Sequence, residues 1–132
     1  MRRTSWFIAA IGVALVAACS NGGNDSSAPV PGTLTLTMAT ANTGDGALQI
    51  QVTGGTIDTI EAPSGYVGYP YRTAATGMRI IVAGNIVPGP VATIHVPDIH
   101  KAASYVAIVQ KGTDANTYAI RSGASYQLTA AP

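Results

Sequence analysis

The sequence predicts an all-β fold, an antiparallel sandwich of about nine strands standing behind a leader and a tether. Three observations predict it. From Thr33 onward apolar and polar residues alternate with a period of two, the repeat of a strand with one buried face. Clusters of Gly, Pro, Asn and Asp break the alternation at short intervals, as turns do. No window of the same region carries the spacing of an amphipathic helix, and Asp98 to Ser104 offers one turn at most.

The chain opens with Met1-Arg2-Arg3-Thr4-Ser5, followed by an apolar run from Trp6 to Ala18 broken only by Gly12. This is the charged n-region and apolar h-region of a secretion signal, and the run falls short of the ~20 apolar residues a membrane-spanning helix requires. Its last residues, Leu15-Val16-Ala17-Ala18-Cys19, resemble the lipobox of bacterial lipoproteins: an aliphatic residue, two small residues and a cysteine. The resemblance implies cleavage before Cys19, diacylglyceryl transfer to its thiol and acylation of the freed amine. Residues 1–18 are then a signal peptide, and Cys19 is an anchor with no redox or catalytic role. Two or three acyl chains at ~0.8 kcal/mol per buried CH₂ hold firmly, where a single chain is reversible. The plainer alternative is an ordinary signal peptide cut at a nearby A-x-A-like site, which leaves Cys19 as a free thiol.

Residues 19–32 are rich in Gly, Ser, Asn and Pro and lack apolar periodicity, so they read as the lipidated cysteine and a flexible linker. Ser20 stands where an Asp retains lipoproteins in the inner membrane, so the resemblance favours the outer membrane, with the domain on its periplasmic or outward face.

Residues 33–132 hold enough chain for one domain. Behind the leader stand five basic residues, Arg72, Arg79, Lys101, Lys111 and Arg121, against six acidic ones, a formal net charge of −1. So balanced a surface carries no footprint for nucleic acid and no polybasic membrane patch. With Cys19 the sole cysteine, no internal disulfide is available and stability has to come from packing.

The strands follow in order. Leu34, Leu36 and Met38 alternate with Thr33, Thr35 and Thr37; Leu48, Ile50 and Val52 alternate with Gln49, Gln51 and Thr53; and Asn42 to Gly46 reverses the chain between them. Further runs cover 56–61, 66–72, 78–83, 91–96, 104–110, 117–121 and 126–130, separated by Gly54-Gly55, Pro63-Ser64-Gly65, Pro88-Gly89-Pro90 and Gly112 to Asn116. The segments Gly46 to Val52, Gly77 to Val82 and Pro88 to Val96 together resemble a bacterial Ig-like sandwich of the cohesin-like sort, a nine-stranded fold related to carbohydrate-binding modules. True cohesins dock dockerin domains, so the resemblance implies a protein-docking role. The chain carries neither a dockerin-like repeat of its own nor residues that match a dockerin-contact surface.

Two clusters invite a chemical reading. His95, Asp98 and His100 place two imidazoles and a carboxylate within six residues, ligand types that suit a transition metal. Yet the offset of five puts the two histidines on opposite faces of an extended strand, and Asp98 after Pro97 is an ordinary turn residue, so no metal site is expected. Tyr66, Tyr69 and Tyr71 form the second cluster. Tyr69 and Tyr71 share a face, Pro70 between them confines the strand to an edge or bulge, and exposed rings there suit a sugar or a partner strand. The plainer reading has the rings covering the open ends of the sandwich. Arg79 lies on a solvated sheet face, and Arg72 and Arg121 could pair with Glu61 or Asp58, surface ion pairs worth about 0 to 1 kcal/mol that identify nothing.

No G-x-S-x-G, H-E-x-x-H or P-loop occurs, so no catalytic residues and no cofactor are assigned and a non-enzyme is expected. The expected function is a membrane-anchored lipoprotein presenting the sandwich for protein docking. The alternative is a carbohydrate-binding module of the envelope using Tyr66, Tyr69 and Tyr71, and the third reading is a small hydrolase or accessory subunit.

Overall fold

A computed structural model describes residues 28–132; the leader, Cys19 and the first part of the linker lie outside the described residues. Nine strands are present: β1 (Gly32–Thr40), β2 (Asp45–Thr53), β3 (Thr59–Glu61), β4 (Val67–Ala74), β5 (Gly77–Ile86), β6 (Gly89–Val96), β7 (Val106–Asp114), β8 (Ile120–Ser122) and β9 (Tyr126–Ala131). They pair antiparallel in a four-stranded sheet of order β3-β6-β1-β9 and a five-stranded sheet of order β4-β5-β2-β7-β8. This is the all-β sandwich that the alternation predicts.

The period of two is the cause of the layers. Leu34, Leu36 and Met38 of β1 turn inward, and so do Leu48, Ile50 and Val52 of β2, Ile80 and Val82 of β5, and Val91, Ile94 and Val96 of β6. Side chains from both sheets meet in one core, where each fully buried Leu or Ile contributes about 1.5–3 kcal/mol. The intervening Thr33, Thr35, Thr37 and Gln49, Gln51 face outward as expected.

The structure departs from the sequence pattern in three places. Gly112 belongs to strand β7 and not to the following turn. A Cβ there would lie 2.2 Å from the Tyr126 hydroxyl, so the glycine serves close packing and the reversal shrinks to Ala115–Ala119. Strand β3 begins at Thr59, although Ile57 before it is fully buried and the Asp58 N–H donates to the His95 carbonyl at 2.8 Å. The segment after Asp98 is a 3₁₀ stretch over Ile99–Ser104, kinked at Lys101, longer than the single turn expected.

A bulge interrupts the pairing of β2 with β7 between Gln49 and Ile50. Gln49 pairs with Lys111 and Ile50 with Val109, which leaves Gln110 as the extra residue. The slip keeps Val109 in the core while Lys111 faces out beside Gln49.

The chain enters the sandwich at one end. The Val30 N–H donates to Asp98 Oδ1 at 3.3 Å, and the Ile99 N–H donates to the Val30 carbonyl at 2.8 Å, so contact with the fold begins before β1. No helix among the described residues is long and apolar enough to cross a membrane.

Candidate functional site: the open face of the five-stranded sheet

The outward sides of β4, β5, β2 and β7 form rows set by strand register. One row runs Tyr71, Arg79, Gln51, Ile108; the next runs Tyr69, Ile81, Gln49, Lys111. Tyr69 and Tyr71 share this face, 59% and 41% exposed, because they sit two residues apart on an edge strand. Seven of the large apolar side chains left exposed stand on strands of this sheet: Val67, Tyr69, Tyr71, Ile81, Val106, Ile108 and Ile120. The outer face of the four-stranded sheet differs in kind, presenting Thr33, Thr35, Thr37, Thr59, Thr93 and Thr129 with His95 and Glu61.

A polar lattice orients the open face. Arg79 Nε donates to Gln51 Oε1 at 2.9 Å and Nη1 donates to the Tyr71 hydroxyl at 3.1 Å, with the guanidinium 5.6 Å from the Tyr71 ring centroid. Gln49 Nε2 reaches over β5 to the same hydroxyl at 3.3 Å, and Gln51 Nε2 donates to Thr73 Oγ1 at 3.1 Å. The hydrogen bonds from Arg79 and Gln49, joined by the positive field of Arg79 and Lys111, hold the Tyr71 hydroxyl below the usual tyrosine range. Beside the lattice lies a shallow hollow of about 280 Å³, lined by Ala47, Leu48, Gln49, Ile81, Lys111 and Thr113.

Tyr66 stands apart from the other two tyrosines. It is half-buried, its hydroxyl accepts the Val87 N–H at 3.3 Å, and its ring lies against Gly84, so it clamps the turn between β5 and β6. It faces the gap between β3 and β4 together with Ile60, Glu61 and Pro70.

The histidines likewise take separate partners. His95 Nε2 lies 3.8 Å from Glu61 Oε2 on β3, whereas His100 Nδ1 lies 3.0 Å from Asp98 Oδ1. Asp98 also accepts the backbone N–H groups of His100 and Val30. Burial pushes its carboxyl up, and those N–H groups outweigh burial to hold it below the usual carboxylate range. Its work is to cap the 3₁₀ stretch and fasten the entering chain. Among the described residues no three His, Cys, Asp or Glu side chains gather as a metal would need.

The sequence reading missed a buried cluster at the opposite end. Asp45, 1% exposed, accepts from the Tyr126 hydroxyl at 2.7 Å and from Arg121 Nη1 at 2.6 Å, and Arg121 Nη2 bonds Asp114. Arg121 therefore pairs with Asp45 and Asp114, and not with Glu61 or Asp58, the partners considered from the sequence. Arg72 meets no acid among the described residues either: its Nη2 donates to the Ile57 carbonyl at 2.8 Å. Burial opposes the Arg121 charge, but Asp45 and Asp114 more than offset it; Tyr126 is pushed up by burial and then by Asp45. Asp45, Asp114, Arg121 and Tyr126 are all partnered inside the fold, which makes this cluster a lock between β2, β7, β8 and β9 and leaves the open face as the candidate site. Comparison with family models, with curated proteins and with solved structures finds no match to this chain.

Proposed function

We propose that this chain is an exported, non-catalytic lipoprotein, held to the membrane through lipid on Cys19, that displays its sandwich as a protein-docking module of cohesin-like type. The contact surface is the open face of the five-stranded sheet. One observation carries the choice of surface: the exposed apolar side chains of the strands crowd onto that face, while the opposite sheet presents mostly threonine. A patch of apolar and aromatic side chains edged by polar groups is what a docking surface requires. The lipobox resemblance supports the anchor, and the chain enters where β1 begins and β6 finishes, strands of the four-stranded sheet and not of the sheet that carries the open face.

A photo-crosslinking amino acid placed at Ile81 in cells should yield discrete protein adducts, and the same probe at Thr35 on the other sheet should yield none. Equal adducts from both positions, or none from Ile81, would remove the reading. A second reading, envelope polysaccharide, is favoured by the shared face of Tyr69 and Tyr71 beside Gln49. It requires a glycan-array signal that Tyr69→Ala and Tyr71→Ala abolish.

A further inference from the structure

Charge on the open face has one sign. Arg79 and Lys111 point outward from β5 and β7, and among the described residues no Asp or Glu shares that side of the sheet; Asp45 is buried, and Asp114 at the end of β7 is bound to Arg121. The salt bridges among the described residues join His95 to Glu61, His100 to Asp98, and Arg121 to Asp45 and Asp114, so neither Arg79 nor Lys111 has a counter-ion there.

Arg79 is also held in place. Gln51 and Tyr71 engage Nε and Nη1, and Nη2 donates to no side chain or carbonyl among the described residues. An oriented guanidinium without a counter-ion is a receptor for a carboxylate, and little side-chain entropy remains to be lost on binding. The Tyr71 hydroxyl accepts from Arg79 and Gln49, which leaves its own proton to donate toward an arriving anion.

Beside this anchor the face also carries apolar area: Ile81 and Ile108, with Val106 beyond, are exposed and available to bury against apolar side chains. Two copies meeting through this face would set like charges together, which opposes self-association.

We infer that Arg79 is the anchor of the open face, and that the partner is a protein surface presenting an Asp or Glu carboxylate within an apolar patch. Tyr69, Ile81 and Ile108 receive the apolar part; Arg79, backed by Lys111, receives the carboxylate. The inference rests on the reading of this face as the docking surface.

The test is selection of a phage-displayed random-peptide library on the full chain in detergent. Peptides rich in Asp or Glu beside apolar residues are expected. Arg79→Gln should weaken them by about tenfold or more, with an unchanged circular-dichroism spectrum, and Thr35→Ala should leave them unaffected. Peptides lost on Ile108→Ser but indifferent to Arg79→Gln overturn the carboxylate anchor and leave the docking face standing. Peptides indifferent to both substitutions, or no selection above background, remove the docking face as well. Polygalacturonate bound through Arg79 more tightly than any selected peptide replaces the protein partner with an acidic polysaccharide.

Discussion

Between β7 and β8 the chain reverses over Ala115–Ala119, and Tyr118 closes the loop with a φ of 57°, in the left-handed region that favours glycine. Its N–H donates to the Asp114 carbonyl at 3.0 Å, and the Asp114 N–H donates to the Ala119 carbonyl at 2.9 Å, so two hydrogen bonds impose the conformation. The ring is 79% exposed and gains little from packing. A side chain there costs about 1–2 kcal/mol, and Tyr118→Gly should stabilise the fold by about 1 kcal/mol, read as a higher urea midpoint at unchanged slope. An unchanged or lower midpoint would mean that the ring stabilises the loop more than its exposure suggests. The same scale marks what the sequence hides. Asp45 sits within a turn-like Asn-Thr-Gly-Asp-Gly run, and its burial follows from Tyr126 and Arg121, 81 and 76 residues away, converging on it. A pairing of that range depends on topology, and the sequence suggested Glu61 or Asp58 for Arg121 instead.

At the scale of strands, the alternation of Leu, Ile and Val with Thr and Gln made most elements legible, because one buried face per strand writes its period directly into the chain. Sheet order is written nowhere so plainly. That β5 stands between β4 and β2, so that Gln49 and Arg79 meet at the Tyr71 hydroxyl, depends on pairings between segments far apart in sequence. Spacing alone puts Tyr69 and Tyr71 together and, by its odd offset, sets Tyr66 apart from them; what spacing does not tell is that the Tyr66 hydroxyl accepts the Val87 N–H in a distant turn. Three of the four sheet edges are ill suited to further pairing: β3 and β8 have three residues each, and β4 carries Pro70, whereas β9 at the fourth edge has six residues. Restoring an N–H and a β-branched side chain on the β4 edge removes the block. Pro70→Val should leave stability within about 1 kcal/mol and produce concentration-dependent association in light scattering. A variant that stays monomeric at every concentration reached by the wild type would show that Arg72, reaching from β4 to the Ile57 carbonyl, guards the edge alone.

For the molecule as a whole, the arrangement that matters is the relation between its one proposed anchor and its one proposed contact face. The described chain meets the sandwich beside Asp98, at the end where β1 begins and β6 finishes, both strands of the four-stranded sheet and not of the sheet that carries the open face. In the proposed function lipid on Cys19, read from the lipobox resemblance of Leu15 to Cys19, supplies the membrane attachment. Without the thiol the proposed acyl chains have no attachment point, while the nine strands described, from Gly32 onward, keep their sequence. Cys19→Ala should therefore move the protein out of the membrane fraction or leave it as an uncleaved precursor. The wild-type protein should give a mature N-terminal peptide at Cys19 whose mass carries two or three acyl chains. Equal masses for wild type and Cys19→Ala, with both in the soluble fraction, would remove the anchor and leave a freely exported sandwich whose open face meets its partner in solution.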